Sequence, residues 1–340
     1  MFPGLKKKIP LNHFIFELTQ KCNHDCLYCY NVWKKDKSFP GGELSTEQLK
    51  ELFLKLKDET KLDLISFSGG EPLLRNDVPE LIDFLSQNEI GSNLITNGTL
   101  LTDTVASACV ENGVSLVEVS LLSSDRRVHK DLTQRDSLDD VLAGMTSVKN
   151  AGGKLIAGIV GTSKNIDDVK ETAELAIAVG CDGIMFNRFN PGGEGLKHMD
   201  LLPSKEQLES ALEQLNDLSG EYNLPVSCSV PIQPCVIDVS QYENLSHGFC
   251  PSGNKRAYYT VGSSGDMRVC NHSPSLLGNL LEKSFSEILE NGFVEEFKTA
   301  LPSHCKSCEK AHVCWGGCKA SAQVCYGSLC EPEPFLKKNI

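Results

Sequence analysis

The chain lacks three features that would place it in other classes of protein. None of its apolar runs approaches the roughly 18 residues that a membrane span needs. Its N-terminus lacks the continuous apolar core of a secretory signal. Basic residues are in deficit, with 33 Lys and Arg against 45 Asp and Glu, and the formal charge of −12 disfavours a sequence-independent grip on nucleic acid. We therefore expect a cytoplasmic protein that binds neither membranes nor nucleic acid.

Apolar, β-rich runs alternate with amphipathic helical stretches through the first two thirds of the 340 residues. The pattern predicts strands at 13–18, 64–67, 92–96, 116–121, 155–160 and 183–189, and helices at 46–57, 77–86, 103–112, 138–150, 166–179 and 205–218. Six strand–helix units predict a parallel sheet, and they are fewer than the eight of a closed barrel. We expect an α/β fold with a partial (β/α)6 TIM-type barrel at residues 12–222, followed by a Cys-rich domain at residues 223–340.

Cysteine is the residue that this sequence has in unusual number, with 15 in the chain. Because the cytosol keeps thiols reduced, we do not expect these cysteines to form a framework of disulfides. Several lie in tight groups, and grouped cytosolic thiolates repel one another unless a metal neutralises them. Structural zinc is the alternative to iron, but it takes four ligands in paired C-x2-C knuckles, and the first group has three cysteines.

That first group is Cys22, Cys26 and Cys29, with C-x3-C-x2-C spacing directly after the first predicted strand. Three thiolates can hold three corners of an iron–sulfur cube and leave the fourth iron open. The loop resembles the signature of the radical S-adenosylmethionine (SAM) superfamily, including the aromatic Tyr28 before the last cysteine. The resemblance implies a 4Fe–4S cluster that binds S-adenosyl-L-methionine and cleaves it reductively to a 5′-deoxyadenosyl radical, with these cysteines catalytic.

Further segments at predicted strand ends fit the same resemblance. It implies that Gly69-Gly70-Glu71-Pro72 contacts the methionyl group, and that paired glycines let backbone approach the ligand. Arg188 ends the sixth strand, where it either meets a carboxylate of substrate or cofactor or pairs with an acidic neighbour. The expected cofactor-binding residues are Tyr28, Gly69, Gly70, Glu71, Pro72, Asn97, Ser120 and Arg188.

The C-terminal cysteines resemble the SPASM extension of this superfamily, which carries two auxiliary iron–sulfur clusters. The resemblance assigns Cys250, Cys270 and Cys318 to the first auxiliary cluster, and Cys305, Cys308, Cys314 and a later cysteine to the second. For that later ligand we expect Cys330, with Cys325 in reserve. The sequence lacks a further cysteine in residues 251–256, where many relatives have one. The first auxiliary cluster therefore has an open iron or recruits Cys235.

The resemblance implies an enzyme that modifies a ribosomally made peptide or a protein side chain. An alternative within the family is a tetrapyrrole or another small cofactor precursor, and a non-enzyme alternative is a multi-cluster electron carrier. An electron donor such as flavodoxin or ferredoxin is expected. Since about twelve residues precede the first predicted strand, a substrate with a leader would need a separate leader-binding protein.

Iron content tests the three-cluster expectation. Fully reconstituted protein should hold about twelve irons, because each cubane contains four, and Cys22, Cys26 and Cys29 changed together to Ala should leave about eight. Iron and acid-labile sulfide are measured after anaerobic reconstitution. About four irons in the wild type, or zinc in place of iron, would contradict the C-terminal assignment.

Overall fold

The computed structural model describes residues 8–34, 38–251 and 257–339. Its strands are β1 (His13–Glu17), β2 (Leu64–Ser68), β3 (Gly91–Thr96), β4 (Leu116–Ser120), β5 (Leu155–Gly161), β6 (Gly183–Arg188), β7 (Val226–Cys228), β8 (Leu245–His247), β9 (Tyr259–Val261), β10 (Asp266–Arg268) and β11 (Leu276–Asn279). Its helices are α1 (Thr46–Glu59), α2 (Val78–Gln87), α3 (Asp103–Glu111), α4 (Arg126–Thr133), α5 (Leu138–Asn150), α6 (Val169–Val179), α7 (Lys205–Tyr222), α8 (Phe285–Leu289), α9 (Gly292–Thr299), α10 (Ala311–Cys314), α11 (Lys319–Tyr326) and α12 (Pro334–Asn339).

The partial barrel that the sequence predicts is confirmed. Strands β1 to β6 lie side by side in chain order and all pair in parallel. Each of the twelve predicted elements is present, with bounds that differ by a few residues at most, except that the predicted helix 166–179 opens with a short 3-10 turn at Ile166–Asp168. Helix α4 was not predicted, because Val128 and Leu132 are its only apolar residues. Asp125 caps it by accepting from the backbone of Arg127 at 2.7 Å.

Along each strand, side chains alternate between the face of the sheet that the helices cover and the inner face. On β1 and β2, Phe16 and Phe67 pack against Phe53 of α1, with ring centroids 4.9 and 6.0 Å away. On β4, Val117 and Val119 are fully buried among the core residues. Because successive side chains of a strand point to opposite faces, the residues between these core positions lie on the inner side of the barrel.

The chain beyond residue 222 extends the same sheet at both edges. Strands β7 and β8 continue it past β6 in parallel, and β9 pairs in parallel with β1. Strand β10 pairs antiparallel with both β9 and β11, so the final order is β11-β10-β9-β1-β2-β3-β4-β5-β6-β7-β8. Within the described ranges the two outer strands are not paired with each other, and the barrel is open. The domain boundary after residue 222 stays a prediction.

Two buried ion pairs connect the C-terminal part to the barrel. Arg268 of β10 pairs with Glu17 of β1, which also accepts from the indole of Trp33 at 2.8 Å. Arg188 of β6 pairs with Glu333 at 2.6 Å, and neither side chain of this second pair is exposed. Each pair joins residues that are far apart in sequence, so each is a long-range connection of the fold.

None of the helices in the described part of the chain is long and apolar enough to cross a membrane.

Removing one member of a buried pair should destabilise the fold. Arg268→Met leaves the Glu17 carboxylate buried without its cation, a loss of about 3–5 kcal/mol in the free energy of unfolding. Anaerobic urea unfolding of the cluster-loaded protein measures it. As a matched control, Arg126→Met removes exposed ion pairs with Asp136 and Asp139 and should leave the midpoint of the urea transition unchanged. Equal effects of both substitutions would contradict a structural role for the buried pair.

Candidate active site

The loop after β1 brings Cys22, Cys26 and Cys29 close together. Burial and repulsion from Cys29 raise the pKa of the Cys26 thiol to about 12, and burial also raises the pKa values of Cys22 and Cys29. The nearest cation is Lys34, which pairs with Asp25 at 3.0 Å and lowers the pKa of these thiols by its charge. Three close, half-buried thiols with raised pKa values are a donor set that fits an iron–sulfur cluster, whose iron ions would hold them as thiolates.

The paired glycines after β2 lie against the backbone that leads into the cysteine loop. The amide of Gly70 donates to the Thr19 carbonyl at 2.8 Å, and that of Glu71 donates to the Lys21 carbonyl at 2.8 Å. A Cβ added at Gly69 would lie 2.5 Å from the Thr19 oxygen, and one at Gly70 only 1.9 Å from the Lys21 oxygen. The sequence interpretation assigned the close approach to a ligand; the structure shows that the closest approach is to the protein's own backbone.

Glu71 is a positioning residue in this geometry. Its carboxylate is buried and accepts from the hydroxyl of Thr96 at 2.7 Å and from the amide of Asn97 at 2.8 Å. It also accepts from the amide of Leu73 at 3.0 Å, which caps the turn that begins at the buried Pro72. These bonds tie the ends of β2 and β3 together, so this carboxylate holds the frame around the cysteine loop.

Polar side chains extend this frame into the loop itself. The Asn97 amide donates to the Asn23 side chain at 2.7 Å, and Asn23 donates to the Thr99 hydroxyl at 2.9 Å. Asn31, just beyond the loop, donates to the Gly69 carbonyl at 2.8 Å. The loop is therefore clamped at both ends by the segments after β2 and β3. Of these residues the sequence singled out only Gly69 and Asn97, because side-chain bonds between loops leave no periodic signal.

The remaining expected contacts lie in different surroundings. The Tyr28 hydroxyl hydrogen-bonds the Cys26 thiol, and burial raises the pKa of this tyrosine. Ser120 ends β4 and is half-buried, opposite Gly158 of β5. Glu118 lies two residues before Ser120 on the same face of β4, and burial raises the pKa of its carboxyl group to about 7. The sequence reading missed Glu118, although a carboxylate two residues before Ser120 in a predicted strand was a usable signal.

Arg188 requires a correction, because it does not reach toward the cysteine loop. Its Nε and Nη2 atoms donate to the Pro231 carbonyl at 3.0 and 2.8 Å, and Nη2 also donates to Glu333 at 2.6 Å. The guanidinium also lies 4.7 Å from the ring centroid of Phe335. These contacts support the alternative in which Arg188 pairs with an acidic neighbour. They do not support the expected contact between Arg188 and the cofactor.

Cys250, Cys270 and Cys318 lie close together and form the first C-terminal group. Burial raises the pKa of Cys270 to about 12, with further repulsion from Cys318 and Cys250. The side-chain amide of Asn190 donates to the Cys318 sulfur at 3.2 Å. Cys325 also lies within electrostatic reach of Cys318, from the last turn of α11.

This group is linked to the loop after β1 through aromatic side chains. Tyr30 directly follows Cys29, and its ring stacks on His272 with centroids 5.3 Å apart. The Tyr30 hydroxyl accepts from Asn271 at 2.6 Å, and His272 bonds the Pro191 carbonyl at 2.7 Å. Asn271 and His272 come immediately after Cys270, so the two thiol groups share a packed boundary.

The second C-terminal group requires another correction. Cys305, Cys308 and Cys314 line one cavity of about 350 Å³, and the fourth cysteine on its wall is Cys235. Cys330 is exposed and does not line this cavity; it lies within electrostatic reach of Lys319, as does Cys250. Gly327 does end α11 in a left-handed conformation, φ 73°, but the returning chain brings Glu333 into the interior instead of the Cys330 thiol. In the described parts of the chain no three His, Cys, Asp or Glu side chains converge on one metal ion.

Comparison with known proteins agrees with the thiol groups and the barrel. Residues 16–176 match the radical SAM superfamily, and residues 250–310 match an iron–sulfur cluster-binding domain, SPASM. The chain is a radical SAM enzyme of the SPASM subgroup. Its cofactors are accordingly 4Fe–4S clusters and S-adenosyl-L-methionine.

Two curated relatives match nearly the whole chain. An AdoMet-dependent heme synthase of Methanosarcina barkeri (strain Fusaro / DSM 804) is 28% identical, with 94% of each chain covered. A PqqA peptide cyclase of Granulibacter bethesdensis (strain ATCC BAA-1260 / CGDNIH1) is 26% identical, with 94% of this chain and 85% of the cyclase covered.

Solved structures show the same fold at lower identity. SuiB of Streptococcus suis, bound to its precursor peptide SuiA, superposes with a TM-score of 0.73 at 16% identity, over 95% of this radical SAM enzyme and 74% of SuiB. The enzyme anSMEcpe with bound AdoMet superposes with a TM-score of 0.72 at 19% identity, over 96% and 94% of the two chains.

The contact between Gly70 and Lys21 is open to a direct test. Gly70→Ala forces a Cβ against the Lys21 carbonyl, and the cysteine loop must move. We expect loss of S-adenosylmethionine cleavage and of about four irons, while about eight stay in the C-terminal part. The matched control is Gly41→Ala, since a Cβ at Gly41 meets nothing within 4 Å. Wild-type 5′-deoxyadenosine production by the Gly70 variant would contradict the role assigned to this contact.

Proposed function

We propose that this radical SAM enzyme removes a hydrogen atom from a side chain of a ribosomally made peptide or of a protein. The observation that carries the proposal is the inner surface of the barrel, which is polar but offers no unpaired buried guanidinium among the described residues. Such a surface suits a substrate bound through amide and hydroxyl hydrogen bonds. It does not suit a substrate with several carboxylates.

The inner surface is a row of hydrogen-bonding side chains on neighbouring strands. His13 of β1 bonds the Ser66 hydroxyl at 2.9 Å, and the Asn93 side chain donates to the same hydroxyl at 3.4 Å. Burial lowers the pKa of His13 to about 4, so its imidazole is neutral at physiological pH. Glu118 of β4 is the next polar group along the row. Neutral donors and acceptors of this kind match the polar groups of a peptide.

A tetrapyrrole substrate would need a different set of binding side chains. Carboxylate-bearing macrocycles are commonly held by arginine, which binds carboxylates in bidentate geometry. The two buried arginines of the described chain, Arg188 and Arg268, are paired with Glu333 and Glu17. The similarity to a heme synthase keeps this alternative as the second candidate, whereas the peptide cyclase relative and SuiB with its precursor peptide support the first.

The residues around the first cysteine group would have separate tasks. We assign Cys22, Cys26 and Cys29 to the cluster that, with S-adenosylmethionine bound, supplies a 5′-deoxyadenosyl radical when reduced. The backbone of Gly69 and Gly70, with Asn97 and Ser120, would border the space next to this loop in which the bound nucleoside and amino acid would lie. The buried frame around Glu71 keeps this space rigid and excludes water, which protects a reactive intermediate. Electrons would come from a flavodoxin or ferredoxin.

Substrate-dependent 5′-deoxyadenosine formation tests the proposal. Synthetic peptides for the short open reading frames encoded beside the gene are incubated with reconstituted enzyme, reductant and S-adenosylmethionine. A peptide substrate should raise 5′-deoxyadenosine above the uncoupled rate, and a deuterated side chain should transfer deuterium to it. The variant with Cys22, Cys26 and Cys29 changed to Ala should form none.

The competing arm uses a propionate-bearing porphyrin under the same conditions. We expect no stimulation, because the buried arginines are already paired. Stimulation by the porphyrin with none by the peptides would replace the proposal with the tetrapyrrole alternative. Undiminished cleavage in the triple cysteine variant would contradict the assignment of the first cluster.

A further inference from the structure

We infer that Cys235 is the fourth thiolate ligand of the second auxiliary cluster, in the place where the subgroup's pattern led us to expect a cysteine near the C-terminus. The inference concerns cluster ligation alone and does not depend on which substrate the enzyme takes.

The first support is the shared cavity. Cys235 lines the same space of about 350 Å³ as Cys305, Cys308 and Cys314. Four thiols around one cavity are the donor set that a cubane cluster normally takes.

The second support is the local structure that presents the Cys235 thiol. Residues 233–237 form a tight turn, in which the amides of Val236 and Ile237 donate to the Gln233 carbonyl at 2.9 and 3.1 Å. Ile232, Val236 and Ile237 are buried, whereas Cys235 is exposed. The turn is thus anchored by apolar side chains on both sides of a thiol that is left free to reach the cavity.

The third support is the network that fixes this turn against the cysteine-rich segment. Pro231 accepts from Arg188, and the Gln233 side chain donates to Glu333, the carboxylate that also pairs with Arg188. A Cβ on Gly317 would lie 2.1 Å from the side-chain nitrogen Nε2 of Gln233. The turn therefore packs against the backbone between Cys314 and Cys318. The buried pair of Arg188 and Glu333 therefore acts as a positioning element for Cys235.

This ligation also changes the expectation for the first auxiliary cluster. Cys235 is used elsewhere, so it is not available to complete the set of Cys250, Cys270 and Cys318. That cluster keeps three thiolates from its own group, and Cys325 is a further thiol within electrostatic reach of Cys318.

Thiol protection in the wild-type protein tests the assignment without a substitution. Cys235, Cys308 and Cys330 are all exposed in the fold, so each should react with iodoacetamide once the clusters are stripped by a chelator. In the cluster-loaded protein, Cys235 should be protected to the same extent as Cys308. Mass spectrometry of anaerobically alkylated protein gives the modified fraction at each site. Equal alkylation of Cys235 in loaded and stripped protein would overturn the assignment.

Matched substitutions give a second readout. Cys235→Ala should lose about four irons and the electron paramagnetic resonance signal of the reduced second auxiliary cluster, whereas the first-cluster signal stays. Cys330→Ala, at an equally exposed position, should keep the second auxiliary cluster. Loss of that signal from Cys330→Ala but not from Cys235→Ala would return the ligand role to Cys330. Because the alkylation assay uses the wild type, misfolding of the Cys235 variant would not weaken the test.

Discussion

The buried ion pair between Arg188 and Glu333 is the interaction on which the arrangement of the cysteine-rich part depends. Two charges without solvent contact cost several kcal/mol of desolvation each, and their attraction offsets this only when the remaining donors and acceptors are also satisfied. Here Pro231 and the Phe189 carbonyl accept from the guanidinium, and the amide of Phe335 donates to the carboxylate at 3.0 Å. A pair with this many bonds specifies one position for the end of β6, the turn before β8 and the last helix.

A second constraint acts at the other end of the barrel mouth. The loop with Cys22, Cys26 and Cys29 has little regular structure of its own, and its shape comes from neighbouring segments. The glycines after β2 admit its backbone, and Asn31, Asn23 and Asn97 hold its two ends. Hydrogen bonds of this kind hold the loop in one arrangement, and because they are buried they make the arrangement costly to distort.

The two halves of the molecule meet at the segment after β6. The amide of Gly195 donates to the Cys29 carbonyl at 3.1 Å, and Asn190 in the same segment donates to the Cys318 sulfur at 3.2 Å. Gly193 lies so close to the first loop that a Cβ would be 2.4 Å from the Asn31 carbonyl, and its φ of 49° is left-handed. One short segment therefore touches both thiol groups, and with the Tyr30–His272 stack it sets how the first cluster site faces the first auxiliary one.

The sequence by itself determined the barrel and the identity of the first cluster loop. Period-2 and period-3.6 patterns reflect local burial, so six strands and six helices followed from them, and three cysteines within eight residues have few arrangements open to them. Only the tertiary structure decided the partners of Arg188 and the thiol that faces Cys305, Cys308 and Cys314. Both depend on contacts between residues distant in the chain, made by a turn and a returning segment without periodic pattern. The spacing of Cys330 allowed it to reach the second group, but packing of Glu333 against Arg188 and Gln233 left Cys330 outside and brought Cys235 to the cavity.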